Sequence, residues 1–180
     1  MHFVVLGLGS NRGFSELQSP EILKMACSEL NLLLEHCLLS SVYTSKAMYV
    51  EDQSDFFNMV VCGGTNLSPT ALLDAIHKIE DAWGRNRDTE VRNGPRTLDI
   101  DIELYGNTKV HTKNLVIPHE RISERQFVLI PLIEILASQK CTKLVSEQKY
   151  TDIPNIVIYQ KHHIALKEQG VTKYCAPFAV

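Results

Sequence analysis

Asp99 and Asp101 stand two residues apart in the run Leu98-Asp99-Ile100-Asp101-Ile102. On a strand, side chains at i and i+2 share a face, about 6–7 Å apart along the chain. Two carboxylates at that spacing suit hard cations such as Mg²⁺. Immediately upstream, Arg92-Asn93-Gly94-Pro95-Arg96 places two arginines around a Gly-Pro turn, and arginine grips phosphate oxygens bidentately. Six of the seven arginines (Arg85, Arg87, Arg92, Arg96, Arg121, Arg125) fall between residues 85 and 125, with His119 among them. The net charge is nevertheless -3. A local arginine cluster on an acidic protein argues for a focused anion site rather than a surface that coats nucleic acid. The pattern describes a site for a metal-bound polyphosphate.

Plainer readings stand beside this one. A lone Asp-x-Asp on an alternating strand usually marks a solvated face, and a surface Arg96–Asp99 pair would contribute only about 0–1 kcal/mol. The adjoining Arg-x-Gly-Pro-Arg is what favours the phosphate site. Gly7-x-Gly9-Ser10 resembles a phosphate-binding turn, but it lacks the P-loop lysine and the third glycine of a dinucleotide fingerprint. A tight turn leaving the first strand is the expectation there. By position alone Phe56 and Phe127 read as core residues, and the His162-His163 pair as surface. His119 reads equally as a phosphate donor or an exposed loop residue.

Elements must position these groups. Residues 2–9 read as a buried strand, and Ser19-Pro20 as the cap and first residue of a helix. Ile22, Leu23, Ala26, Leu30, Leu33, Leu34 and Cys37 recur at helical spacing. Strands are expected at 38–45 and 55–65, the latter with Phe56, Asn58 and Val60 on one face. Ser68-Pro69 opens a second helix with Leu72, Ile76, Ile79 and Trp83 as its apolar stripe, stopping at Gly84. Residues 45–54 and 85–97 read as loops. A strand at 98–104 puts Leu98, Ile100, Ile102 and Leu104 toward a core and Asp99, Asp101 and Glu103 outward. Short strands near 108–111 and 115–117 and a helix from Arg125 to Ala137, interrupted or started by Pro131, follow. Ile156-Val157-Ile158-Tyr159 reads as a late strand. The order strand, helix, strand, strand, helix, strand is the ferredoxin-like arrangement, an α+β fold built on an antiparallel sheet.

At 180 residues, 44% hydrophobic and 22% charged, the chain reads as one soluble domain. No apolar run approaches the roughly 20 residues of a membrane span, and residues 1–10 read as a strand rather than a signal peptide. Five scattered cysteines suggest neither a zinc site nor a disulfide framework. The cytoplasm is the expected compartment.

Arg92-x-Gly94-Pro95-Arg96-Thr97-Leu98-Asp99-Ile100-Asp101-Ile102 closely resembles the signature of the 6-hydroxymethyl-7,8-dihydropterin pyrophosphokinase family. Leu8-Gly9-Ser10-Asn11, Ser41-Val42-Tyr43, Asp52-Gln53-x-Asp55-Phe56-x-Asn58, Gly84-Arg85-x-Arg87, Pro118-His119 and Arg125-x-Phe127-Val128-Leu129-x-Pro131-Leu132 resemble it in order, over roughly residues 3–135. The resemblance implies a three-layer α-β-α sandwich with a ferredoxin-like centre. It also implies pyrophosphate transfer from ATP to the pterin hydroxymethyl group, with release of AMP. Asp99 and Asp101 would hold two Mg²⁺ on the ATP phosphates. Arg96, His119 and Arg125 would contact the triphosphate, with Arg85 and Arg87 close by, and Arg92 would close over the substrates. Phe56 and Phe127 would sandwich the pterin, and Asn58, Ser45 and the segment of Lys46 and Met48 would contact it. His77 and Glu80 would approach the nucleotide, and Ile102 the adenine.

This chain departs from the family pattern at several points. Lys46-Ala47-Met48 replaces prolines, Asn93 an aromatic, His77 a glutamine and Glu103 an apolar residue. Glu103 is expected to be solvated. Residues 140–180 form a divergent C-terminal part with no counterpart. The partners implied are a small-molecule pterin and ATP, with no nucleic acid and no membrane, for a monomer. The alternatives are a Mg-dependent nucleotidyltransferase with Gly-Ser and Asp-x-Asp motifs, and a non-catalytic ferredoxin-like nucleic-acid-binding module. In the first, residues 10 and 99 lie far apart, where such enzymes keep the motifs close. In the second, net charge and the aspartates would repel a phosphate backbone.

Overall fold

The computed structural model describes residues 1–48, 52–87, 89–91, 94–147, 149–150 and 152–179. Arg92 and Asn93 lie outside them. The chain runs β1 (His2–Ser10), α1 (Ser19–Leu33), β2 (Glu35–Leu39), β3 (Val42–Ser45), β4 (Phe56–Thr65), α2 (Pro69–Ala82) and β5 (Asp99–Tyr105). A two-stranded ribbon of β6 (Val110–His111) and β7 (Val116–Ile117) follows, then a 3-10 turn at Ile122–Glu124. The rest is α3 (Gln126–Leu136), α4 (Gln139–Ser146), α5 (Ile156–Ala165) and β8 (Thr172–Cys175).

The main sheet is antiparallel, ordered β5-β1-β4-β3-β8, with β2 also pairing with β4. The period-2 alternation of β1 decides what covers each face. Val4, Leu6 and Leu8 share a core with Ile22, Leu23, Ala26 and Leu30 of α1 and with Leu72, Ile76 and Ile79 of α2. Phe3 and Val5 point the other way, against Val128, Leu132 and Ile135 of α3. The result is the expected α-β-α sandwich around a ferredoxin-like sheet. Ser68 caps α2, accepting from Ala71 N at 3.2 Å. α1 begins one residue earlier than its sequence suggests: Gln18 is the cap, and its N–H donates to Glu21 Oε2 at 2.8 Å.

Several expectations are corrected. The strand read at 38–45 is two strands, divided at Ser40-Ser41. There Ser41 donates to Glu134 from its backbone N and its Oγ (2.7 and 2.6 Å), and Ser40 Oγ accepts from Val60 N (2.9 Å). Side-chain bonds thus replace regular ladder pairs. The late strand at 156–159 is part of α5, whose start is capped by Asn155 Oδ1 accepting from Val157 N at 3.0 Å. Pro131 neither starts nor breaks α3, which runs through it. Gly7, Gly9 and Ser10 are not a turn but paired residues inside β1.

The last correction shapes the site. Register between β1 and β5 slips, with Val5 opposite Leu104 and Leu6 opposite Ile102, so Glu103 is the extra residue of a β-bulge. Leu104 therefore joins the α3-side core instead of the face shared by Ile100 and Ile102. Glu103, expected in solvent, is fully buried.

Candidate active site

The α3-side face of the sheet is not covered evenly. Along β1 that face reads Phe3, Val5, Gly7, Gly9, so the apolar floor ends where the glycines begin. A Cβ on Gly7 would lie 3.1 Å from Glu103 Oε1, and one on Gly9 3.3 Å from Asn58 Oδ1. Their missing side chains leave a cleft of about 720 Å³, open mouth included. One wall carries Ser45, Lys46, Met48, Phe56 and Asn58; the other carries Arg96, Asp99, Asp101 and Glu103 of the β5 side. Arg125 and Phe127, at the start of α3, complete it.

On the first wall, Asn58 Nδ2 donates to Ser45 Oγ at 3.0 Å while its Oδ1 lies over Gly9. The amide plane is thereby held, with little side-chain entropy left to lose on binding a ligand. Lys46 is turned away, its Nζ 2.8 Å from Asp55. Phe56 and Phe127 each sit beside an arginine, with Arg96 Cζ 5.8 Å from the Phe56 centroid and Arg125 Cζ 5.6 Å from that of Phe127. Neither ring is a buried core residue. An aromatic pocket and a cationic one thus adjoin.

On the second wall the carboxylates are paired with arginines. Asp99 accepts from Arg85 Nη1 at 2.8 Å and Arg96 Nη1 at 2.7 Å, and Asp101 from Arg125 Nη1 at 3.2 Å. Burial pushes the Asp99 carboxyl up, but Arg96 and Arg85 outweigh it and hold it below the usual range. Asp101 is pushed up to about 6 by burial and by the charge of Asp99. Glu103, next along, is pushed up to about 8 by burial and by Asp101. His119 is pushed down to about 4 by burial and by Arg125, so it is neutral at pH 7. Its Nδ1 accepts from Arg121 N at 3.2 Å, which puts the ring proton on Nε2.

The Gly-Pro turn is anchored from β1. Arg96 N donates to Asn11 Oδ1 at 2.9 Å, and its carbonyl accepts from Asn11 N and Arg12 N at 3.1 and 3.2 Å. Arg85 is held by Leu98 O (2.8 Å) and by Glu90, 2.6 Å from its Nε. Arg85 and Arg96 therefore converge on Asp99 from the two ends of the segment that joins α2 to β5.

His77, Glu80, Arg87 and Ile102 are not brought to this cleft. Ile102 belongs to the core under α1 and α2. Glu80 is fully buried, accepting from Ile100 N at 2.9 Å and from Arg87, so it fastens α2 to β5. Burial pushes its carboxyl up to about 7 despite the bond from Arg87. His77 stands one turn earlier on α2, half-buried, its pKa lowered by burial and by Arg87.

Asp99 and Asp101 fit a divalent cation. Their like charges already raise Asp101, and a cation would relieve that repulsion. Among the described residues no cluster of three or more His, Cys, Asp or Glu side chains is placed to hold a metal. Two carboxylates alone are what Mg²⁺ commonly takes when waters and phosphate oxygens supply its other ligands. The pair suits a metal that arrives with a polyphosphate.

A sequence model of the family described as 7,8-dihydro-6-hydroxymethylpterin-pyrophosphokinase (HPPK) matches residues 5–137. The chain belongs to this family. A Haemophilus influenzae relative, 2-amino-4-hydroxy-6-hydroxymethyldihydropteridine pyrophosphokinase, is 40% identical over 151 residues, covering 79% of this chain and 90% of the relative. The Bacillus subtilis protein of the same name is 42% identical over 135 residues, covering 72% and 75%. A folate synthesis bifunctional protein of Arabidopsis thaliana is 40% identical over 136 residues, covering 76% of this chain. The chain spans only 27% of that relative's length, and 38% of a bifunctional FolKE protein from Lactococcus lactis. Among solved structures, an HPPK-DHPS in complex with substrates aligns with a TM-score of 0.62 at 15% identity, over 96% of this chain and 46% of that one, a likeness of fold.

All the cleft residues named above fall inside the HPPK segment. Gly7, Gly9, Asn11 and the buried position of Glu103 were missed by sequence reasoning as parts of the site. For the glycines a signal existed, since one face of β1 changes from Phe3 and Val5 to nothing at Gly7 and Gly9.

Proposed function

We propose that this chain transfers pyrophosphate from ATP to the hydroxymethyl group of 6-hydroxymethyl-7,8-dihydropterin, giving the pterin diphosphate and AMP for folate biosynthesis. The observation that carries this reading is one cleft in which a wall of Phe56, Asn58 and Phe127 faces an aspartate pair ringed by Arg85, Arg96 and Arg125. Phe56 and Phe127 offer aromatic faces on which a flat heterocycle would stack, and Asn58 offers its edge an amide held by Ser45. The hydroxymethyl oxygen attacks the β-phosphorus of ATP, the bond from that phosphorus to the α,β-bridging oxygen breaks, and AMP departs with that oxygen. The hydroxyl proton is lost.

Asp99 and Asp101 would hold two Mg²⁺ ions, which neutralise the triphosphate charge when bound. Arg96 and Arg125, held beside these carboxylates in the free protein, would be donors to the phosphate oxygens of the nucleotide. The ion pairs of the free protein therefore keep these arginines in place for a substrate without leaving them uncompensated. Neutral His119 adds an N–H donor without adding charge. We assign Arg92 to closure over the substrates, excluding water from the phosphoryl group. His77, Glu80, Arg87 and Ile102 are assigned to the nucleotide side of β5, with Glu80 acting through the placement of Arg87 and Ile100. We place the protein in the cytoplasm as a monomer; among its described residues no helix is long and apolar enough to cross a membrane.

Product analysis with Mg²⁺, ATP and the dihydropterin tests the reaction: pterin-dependent AMP and pterin diphosphate are expected. Release of pyrophosphate would sink it in favour of nucleotidyl transfer. The Gly-Ser turn of that alternative is absent, because Gly9 and Ser10 are strand residues. Phe127→Ala is expected to raise KM for the pterin roughly ten- to a hundredfold, the worth of one stacking face, with KM for ATP within about threefold. Equal effects on both substrates would remove Phe127 from the pterin site.

A further inference from the structure

Residues beyond 137 lie outside the matched HPPK segment, yet one stretch of them touches both sides of the cleft. Gln169 forms reciprocal hydrogen bonds with Gln126, the first residue of α3. Gln126 N donates to Gln169 Oε1 at 2.9 Å, and Gln169 N donates to Gln126 Oε1 at 2.9 Å. Gln169 Nε2 also donates to the Glu124 carbonyl at 2.8 Å. These bonds bracket Arg125 and end one residue short of Phe127. Gly170, in the left-handed region at φ 63°, then turns the chain into β8. There Thr172 pairs with Thr44, their hydroxyls 2.8 Å apart, immediately before Ser45.

We propose that the segment from Gln169 to Cys175 braces the active site, and that Gln169 is a positioning residue for Arg125 and Phe127. The first N–H groups of a helix have no partner within it, and Arg125, at the N-cap of α3, provides no side-chain cap. Gln169 supplies the missing acceptor from 43 residues away. It does so at the turn that aims Arg125 at Asp101 and Phe127 into the cleft. The Glu124 bond fixes the backbone on the other side of Arg125. Because β8 is ladder-paired to β3, the brace also ties the start of α3 to the wall that ends in Ser45. The distance between the start of α3 and that wall is thus set in part by a C-terminal segment that the family match does not include.

The readout rests on the pyrophosphoryl-transfer reading, and a second measurement is independent of it. In the full chain, Gln169→Ala is expected to raise KM for both ATP and the pterin about three- to tenfold, the span of one hydrogen bond. Its kcat stays within about twofold, and amide exchange at Gln126 and Phe127 speeds up. Gln169→Glu keeps the acceptor for Gln126 N and loses the donor to Glu124, so its KM values rise about two- to threefold. Tyr150→Phe, which removes a C-terminal contact outside the brace (Oη to the Glu35 carbonyl at 2.8 Å), lowers Tm without moving either KM. A folded Gln169→Ala protein with wild-type KM values and wild-type exchange overturns the proposal. Should that variant not fold, unchanged KM values in Gln169→Glu overturn it. If the wild type makes no pterin-dependent AMP, the functional reading has failed, and unchanged exchange at residues 126 and 127 in Gln169→Ala then overturns the brace by itself.

Discussion

Asp101→Asn is expected to lower kcat on the order of a thousandfold while leaving Tm unchanged or raised. The two halves of that result have separate causes. A carboxylate that holds a phosphate-bound cation contributes several kcal/mol to the transition state, and each 1.36 kcal/mol is a factor of ten. In the free protein, however, Asp101 is a strained acid, pushed up to about 6 by burial and by Asp99. Neutralising it removes a repulsion and loses only one bond, from Arg125. Asp99→Asn is expected to be as inactive but less stable, because Asp99 is held below the usual carboxylate range by two arginines that the amide would release. Steady-state rates and thermal melts of both variants decide this. An Asp101→Asn enzyme retaining more than about a tenth of wild-type kcat would remove Asp101 from metal binding, and equal destabilisation by both variants would contradict the charge asymmetry.

Glu103→Gln is expected to raise stability, by an amount that grows with pH. The unfolded carboxyl has a pKa near 4.3, and in the fold burial and then Asp101 push it up to about 8. Between those values the folded protein keeps a proton that the unfolded chain gives up, so the Glu103 contribution falls as pH rises. Below about pH 4 the two proteins should melt together. Above about pH 8 the wild type must bury a charged carboxylate whose cationic neighbour, Arg125 Nη1, is 3.7 Å away, too far for a direct bond. The difference is expected to reach several degrees of Tm at the alkaline end for a chain of this size. Melts of both proteins from pH 4 to 9 read the difference directly. A constant gap, or one that closes as pH rises, would mean that Glu103 is ionised in the fold across the whole range.

Much of the site was legible because it depends on spacing along single elements. Asp99 and Asp101 share a face, Ser68 caps α2, and the stripes of α2 and of α1 as far as Leu33 fall where their periods put them, whereas Cys37, read as the end of the α1 stripe, belongs to β2. Arg85, Arg96 and Arg125 of the arginine cluster do surround the aspartates, and even the plain alternative, an Arg96–Asp99 pair, is present beside them. Family resemblance added the aromatic positions, which by position alone read as core residues, and a role for the amide of Asn58. The misreadings arose where a residue's partner is distant. Ile156 to Tyr159 have the composition of a strand, but Asn155 caps a helix there. The strand is interrupted because Ser41 bonds to Glu134, 93 residues away, while Ser40 stays on Val60 through its N–H and its hydroxyl.

Glu103 shows the division most clearly. The sequence by itself determined which residue types lie on which face of each element, since a strand's period of two and a helix's of 3.6 are properties of the local backbone. It also determined that cationic and anionic groups would crowd one turn. Only the tertiary structure decided that β1 and β5 slip by one residue at Glu103, that Gly7 and Gly9 floor a cleft, and that Gln169 caps α3. Register, burial and protonation depend on which surfaces meet across the chain, and those meetings are set by the packing of the whole sheet between its two helical layers.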